Sequence, residues 1–491
     1  MYLKRKIKNI KANIYSNRSV GEFLKHGFNY LGGDFFDRGL SFLAIPIFTR
    51  LLTKEEYGLV AIFLTINQIF SNILGLGIRG AVTRYYYEYK GDFYQFLSSN
   101  VLFIIFFNCV TLIVIYFTSS SLAGFFNVSE RILFIGVISA FFQVIFFIYR
   151  DYLVADKQSL KYAFVNVLKT LVILALGIVW VYQLNEDRHL GRISAQMLVL
   201  VIVGVYSLLV ISKKSKLYLH KHHIKYAISF GLPILLHLMA GFILNRFDQI
   251  IINQLKGAEE TGLYSFAYNI GTIMQIIVIG LQKSFRPQFF ENRVKNNYNV
   301  IQNITGKFTK FILTSAILLI VFSKEITKII GDKSFWEAYN IIPLIILGYI
   351  FFYFYTIYSI YSQYHKKTMS LAIYTIIAGV INIGLNYLII PQYGNLGAAI
   401  TTLISFLILF LLHFFHVKYV LKEKNIYKIN IYVFIQFILI VFIALIIVNK
   451  NLDDLSYTTE LIIKFVYLFC IISFIFWNKI KTIFLQYFTN K

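Results

Sequence analysis

Apolar residues run through this chain in stretches of about twenty, separated by short polar segments. A helix of about 20 apolar residues, rising 1.5 Å per residue, covers the roughly 30 Å hydrocarbon core of a bilayer. The pattern predicts fourteen such helices. The first seven lie near Phe28–Leu51, Tyr57–Ile78, Phe96–Thr118, Ile132–Leu153, Tyr162–Leu184, Ile193–Ile211 and Ala227–Ile252. The second seven lie near Leu263–Phe285, Phe308–Ile330, Ile341–Ser362, Met369–Ile390, Gly397–Val417, Ile431–Val448 and Glu460–Ile480. The expected fold class is an all-α integral membrane protein. Only 5 prolines occur, so most helices should run uninterrupted.

Composition supports lipid as the solvent. Charged residues make up 14% of the 491, where a soluble chain carries about 25%, and the mean hydropathy is +0.67. The net charge of +24 suggests nucleic acid, but the cations are scattered over short loops instead of one domain, so no nucleic-acid partner is expected. With the N-terminal tail inside, the segments on its side carry more than three times as many Lys and Arg as those on the other. That asymmetry predicts cytoplasmic termini and a multi-pass protein of the bacterial inner membrane. The tail is expected to be a surface-lying basic helix or a disordered arm, with no cleavable signal peptide. Cys109 and Cys470 sit in apolar runs and read as packing residues. His220, His222 and His223 read as a solvated basic loop, so no metal site is expected. No outer loop is long enough to house chemistry, which argues against an enzyme.

Glu55, Glu56, Gly58 and Leu59 read EE-x-GL, and Glu259, Glu260, Gly262 and Leu263 repeat it 204 residues on. The same offset pairs Arg79 with Lys283, and Tyr85 and Tyr86 with Phe289 and Phe290. Six spans separate the copies, so the halves should have parallel topology. The expected organisation is a basic tail (1–26), a six-helix bundle (27–212), a basic linker (213–226), a second six-helix bundle (227–420) and two further helices (421–491).

Several strings resemble a known group: TRLLTKEEYGL (Thr49–Leu59), GIRGAVTRYYYE (Gly77–Glu88) and NRFDQIIINQLKGAEETGLYSFAYNI (Asn245–Ile270). FWEAYNIIPLIILG (Phe335–Gly348) and NIGLNYLIIPQYGNLGAAITTLIS (Asn382–Ser405) extend the likeness. Together they resemble the polysaccharide-exporter branch of the MOP (multidrug/oligosaccharidyl-lipid/polysaccharide) superfamily, over roughly Phe28 to Tyr419. The resemblance implies a MOP/MATE-like fold and a Wzx-type flippase for O-antigen or capsule units. Its partner would be a polyprenyl-diphosphate-linked oligosaccharide in the lipid bilayer, with a polymerase complex as a further candidate partner.

Charged residues inside spans cost about 2.5–3.5 kcal/mol each on insertion scales, so each needs a reason. Asp34, Asp37 and Arg38 share one face of the first span with Ser41. That face should look into a polar cavity; the alternative is a self-neutralising salt bridge that only joins helices. Arg246 and Asp248 lie in the seventh span, with Arg246 expected inward and Asp248 either inward or snorkelling. Arg38 and Arg246 are expected to hold the diphosphate, since a guanidinium fork can grip two oxygens. Lys169, on one face with Asn166 and Thr170, would guide the headgroup or snorkel. Asp34, Asp37 and Asp248 would line the cavity, position the guanidiniums, or couple H⁺ or Na⁺; no other cofactor is implied. Lys464 reads as a snorkelling anchor and Asn382 with Asn386 as interhelical glue. Gly75, Gly77 and Gly80 would permit bending or close packing. Two rivals stand beside the flippase: a MATE-like multidrug or cation antiporter, and a polytopic polysaccharide polymerase.

Overall fold

Every element in the described part of the chain is helical. The computed structural model describes residues 18–214 and 218–448, together with 459, 462 and 464–466. The tail up to residue 17, Cys470 and most of the expected span Glu460–Ile480 lie outside the described residues. The helices are α1 (Arg18–Leu43), α2 (Ile45–Leu51), α3 (Lys54–Gly75), α4 (Arg79–Glu88), α5 (Phe93–Phe117), α6 (Ser119–Phe126), α7 (Glu130–Ala155) and α8 (Ser159–Gln183). They continue as α9 (Arg188–Lys214), α10 (Lys221–Lys256), α11 (Ala258–Val294), α12 (Tyr298–Val321), α13 (Ser323–Ile330), α14 (Ile342–Tyr364), α15 (Met369–Phe415) and α16 (Ile431–Val448). Ten helical stretches among the described residues are long and apolar enough to cross a membrane.

Local sequence explains where helices stop. Leu76 and Gly77 take positive φ (46° and 66°), ending α3 before α4 begins. Gly77 also lies so close to the Gly231 carbonyl that a Cβ would sit 2.1 Å from its oxygen. Close packing is therefore what that glycine provides. In α15 the hydrogen-bonded run continues through Gly394, whose φ of 51° and ψ of −132° kink it. Its two arms correspond to the expected spans Met369–Ile390 and Gly397–Val417.

The chain divides into two compact units, Met1–Met239 and Ala240–Lys491, with the division inside α10. In the first, α8 packs along α1 and α9, while α7 packs on α3 and α9. In the second, α14 packs against α15, α11 and α12, and α16 lies against α12 and α14.

The repeated EE-x-GL opens a helix in each unit, with a side-chain cap in the first only. Thr53 caps α3, with Glu56 N–H donating to its hydroxyl at 3.2 Å and Thr53 N–H donating to the Glu56 carboxylate at 3.0 Å. Glu56 also accepts the Arg188 N–H at the start of α9, 2.7 Å away. In the second unit, Glu260 accepts the Asn395 amide at 2.6 Å, just past the kink of α15. Each second glutamate thus fastens the start of its own helix to a second helix. The short helices follow the same offset: Ser119–Phe126 and Ser323–Ile330 differ by 204 at both ends. Glu56→Ala removes the capping box and the tie to α9. It should destabilise the first unit by about 1–2 kcal/mol, read as a lowered unfolding midpoint in detergent.

Candidate functional site

The first unit gathers charge where α1 meets α8. A Cβ on Gly33 would lie 2.8 Å from Ala163 Cα, so the two backbones touch, and side chains one helical step away face each other. Tyr162 donates to Asp34 at 2.9 Å. Thr170 donates to Asp37, and the Lys169 ammonium lies 3.7 Å from the same carboxylate. Lys169 is turned toward α1 and only 14% exposed, so it does not snorkel. Asn166 is buried on the same face.

Arg150 extends the cluster from α7. It donates to the Tyr162 hydroxyl at 3.0 Å and to Asn166 at 3.3 Å, and its guanidinium lies 5.0 Å from the Tyr162 ring centre. Its Nε is buried without a partner among the described residues. Arg150 is not among the site residues expected from the sequence. It falls inside the apolar window Ile132–Leu153, and that was the available signal.

Arg38 stands apart from this network. It is exposed, and among the described residues no hydrogen bond, ion pair or ring contact holds it. The self-neutralising salt bridge is absent here: Asp34 is engaged by Tyr162, and Asp37 by Thr170 and Lys169. Within the network Lys169 and Arg150 balance Asp34 and Asp37, and Arg38 stands outside it as an exposed cation with no carboxylate partner among the described residues.

In the second unit, Arg246 and Asp248 separate. The Arg246 guanidinium lies over the Tyr268 ring, 5.2 Å from its centre, and is half-buried. Beside it, Gln275 donates to Asn245 at 3.0 Å. Asp248 does not snorkel; it is buried, accepting from Tyr264 at 2.5 Å and from Thr402 at 3.2 Å. Its carboxylate is held by hydroxyls and does not brace Arg246. Asn386 donates to Asn382 at 3.0 Å, and Asn382 to Ser405 at 3.1 Å, joining the two arms of α15 as interhelical glue.

Two other expectations change. Lys464 forms a buried ion pair with Glu325 at 2.9 Å and does not reach for an interface. His223 is buried, 3.1 Å from Asp92 and 3.2 Å from Ser99, so this member of the histidine cluster fastens the start of α10 to the start of α5. His220, just before α10, and His222, in its first turn, are exposed.

The profile of the family described as polysaccharide biosynthesis protein matches residues 23–292, more than half of the chain. The chain belongs to that family. A second profile, MatE, matches the chain over residues 233–388. An Lsg-locus protein of Haemophilus influenzae is 25% identical over 343 residues, covering 66% of this chain and 83% of that protein. A probable low-salt glycan biosynthesis flippase of Haloferax volcanii is 22% identical over 388 residues, covering 77% and 80%. The fold is similar to that of the lipid II flippase MurJ in an inward closed conformation. The TM-score is 0.70 at 17% identity, covering 92% of this chain and 99% of that one. The chain is therefore a multi-pass membrane protein of the MOP superfamily with a transporter fold and not that of a catalytic enzyme. Family and fold match a polysaccharide-related flippase.

Proposed function

We propose that the chain moves polyprenyl-diphosphate-linked oligosaccharides from the cytoplasmic to the outer leaflet of a bacterial inner membrane, for surface polysaccharide assembly. The observation that carries this reading is the state of the charges. Among the described residues Arg38 is left without a carboxylate, and Arg246 rests on an aromatic ring, while the aspartates nearby are engaged by other groups. An arginine kept unpaired in a membrane helix is costly, and a diphosphate is the anion that repays it. In this reading Arg38 and Arg246 are each candidate contacts of the diphosphate. Lys169 guides the headgroup, and Asp34 and Asp37 set the position of α8 side chains. The full topology is fourteen spans, two six-helix bundles with two appended helices, and both termini in the cytoplasm.

An interior-negative potential favours outward movement of an anion by about 2.3 kcal/mol per charge per 100 mV, so export needs no hydrolysed nucleotide. Asp248 is the candidate for added H⁺ or Na⁺ coupling. Asp248→Asn keeps one oxygen that can accept from Tyr264 and Thr402 but removes the charge. It should abolish any dependence of transport on an H⁺ or Na⁺ gradient and leave potential-driven movement intact, measured in vesicles with each gradient set separately.

The multidrug reading draws on the MatE match over residues 233–388 and on the buried Asp248. Deleting the gene and analysing polyprenyl-linked glycans by mass spectrometry separates the two. Accumulation of a complete oligosaccharide unit in the cytoplasmic leaflet supports the flippase. Unchanged glycans with new sensitivity to cationic drugs would favour the antiporter.

A further inference from the structure

On the side of the α1–α8 pair away from the charge cluster, a groove of about 390 Å³ opens between the helices. Asn29, Gly32, Gly33 and Phe36 line it from α1, at the spacing of a single helix stripe, and Ala163, Phe164 and Leu168 are among its walls on α8. Phe36, Phe164 and Leu168 are all exposed, so the groove is open along its length to whatever surrounds the helices. One end is polar: Asn29 donates to Ser159 at 3.0 Å, and His26 lies 2.7 Å from the same hydroxyl.

The two glycines on its floor differ. Gly33 is required by the contact with Ala163. Gly32 is not: a Cβ there would meet nothing within 4 Å. Glycine is the poorest helix former after proline, so its placement costs stability without gaining a helix contact, and its effect is to leave the trough open. The stripe Asp34, Asp37 and Arg38 lies on the opposite side of α1. A single helix thus carries an unpaired cation on one side and an open apolar trough on the other. That is the complement of an amphiphile with a charged head and a long hydrocarbon tail.

We propose that this groove seats a length of the cargo's polyprenyl chain while the diphosphate is held at Arg38, so that α1 reads both ends of the lipid. The inference rests on the flippase reading. Seating the chain would hold the head in register with Arg38 and let the protein select long-chain carriers over short ones. A bilayer phospholipid could fill the same trough with an acyl chain, and the experiment separates the two sources.

Gly32→Leu fills the groove with a residue that favours helix more than glycine does, and Gly32→Ala is the small control. Proteoliposomes carrying each variant are given a fluorescent saccharide diphosphate on either a long polyprenol or a two-unit prenyl alcohol. The expected result is several-fold slower movement of the long-chain cargo by Gly32→Leu, with the short-chain cargo moved at the wild-type rate. Equal slowing of both cargoes, or slowing of neither, overturns the proposal. If the wild type moves neither, the flippase reading itself fails. A photoreactive benzoylphenylalanine at Leu168 gives an independent readout in the wild-type background. An adduct with the polyprenyl chain supports the groove as its seat, and adducts with phospholipid alone overturn it.

Discussion

Arg38→Ala reduces movement of polyprenyl-diphosphate-linked sugar at least about ten-fold, because a hydrogen bond to a charged group contributes about 1.5–3 kcal/mol. The side chain is exposed and unpaired, so its removal strands no buried partner. Membrane insertion and thermal stability should therefore stay at wild-type levels. Arg38→Lys restores the charge without the fork, and should recover part of the rate. Accumulated lipid-linked oligosaccharide, with unchanged protein in the membrane fraction, is the readout. Normal export by Arg38→Ala removes this residue from the site.

Glu423→Ala has the largest expected effect on stability. Glu423 and Arg293 form an ion pair with side chains only 6% and 9% exposed. His365 lies 3.2 Å from the same carboxylate, and the Arg293 guanidinium sits over Tyr298 and Tyr364. Removing the glutamate leaves a buried guanidinium uncompensated, which costs about 3–5 kcal/mol. The segment after the π-helical turn His416–Val420 is fastened by the same group. Tyr358 donates to the Tyr427 carbonyl at 3.0 Å and Gln302 to that of Ile426 at 2.7 Å, leading the chain into α16. A lowered unfolding midpoint in detergent tests this, and an unchanged midpoint contradicts it. Burial raises the pKa of the Glu423 carboxyl, but hydrogen bonds from His365, the Asn425 N–H and Arg293 outweigh it and leave the group below its ordinary value. The pair's contribution is therefore complete above the unfolded carboxyl's pKa and is lost as pH falls through the folded one. Wild type should lose this stability on acidification, while Glu423→Gln should show no such dependence.

The spans were legible because an apolar run of bilayer length has few other fates. Their ends were less so. α10 and α11 extend past the expected windows Ala227–Ile252 and Leu263–Phe285, because charged residues continue a helix into water as readily as they end it. The expected span Phe308–Ile330 is two helices, broken after Val321, where Ser323 starts the short α13. In the site, the charged positions could be read off the chain, but their partners could not. Spacing of four suggests Asp34 with Arg38. The observed partner of Asp34 is Tyr162, 128 positions away, and a contact brought about by helix packing leaves no local pattern. Arg150 was hidden for a related reason. Near a span's end an arginine looks like an interfacial anchor until the helix beside it is known.

The most direct measurement is movement of a polyprenyl-diphosphate oligosaccharide in proteoliposomes of purified protein, followed with a membrane-impermeant glycosidase. With an inside-negative potential and cargo loaded in the inner leaflet, sugar on right-side-out molecules should become cleavable from outside, and Arg38→Ala should largely stop it. Sugar that stays protected while the same vesicles expel a cationic dye would contradict the account.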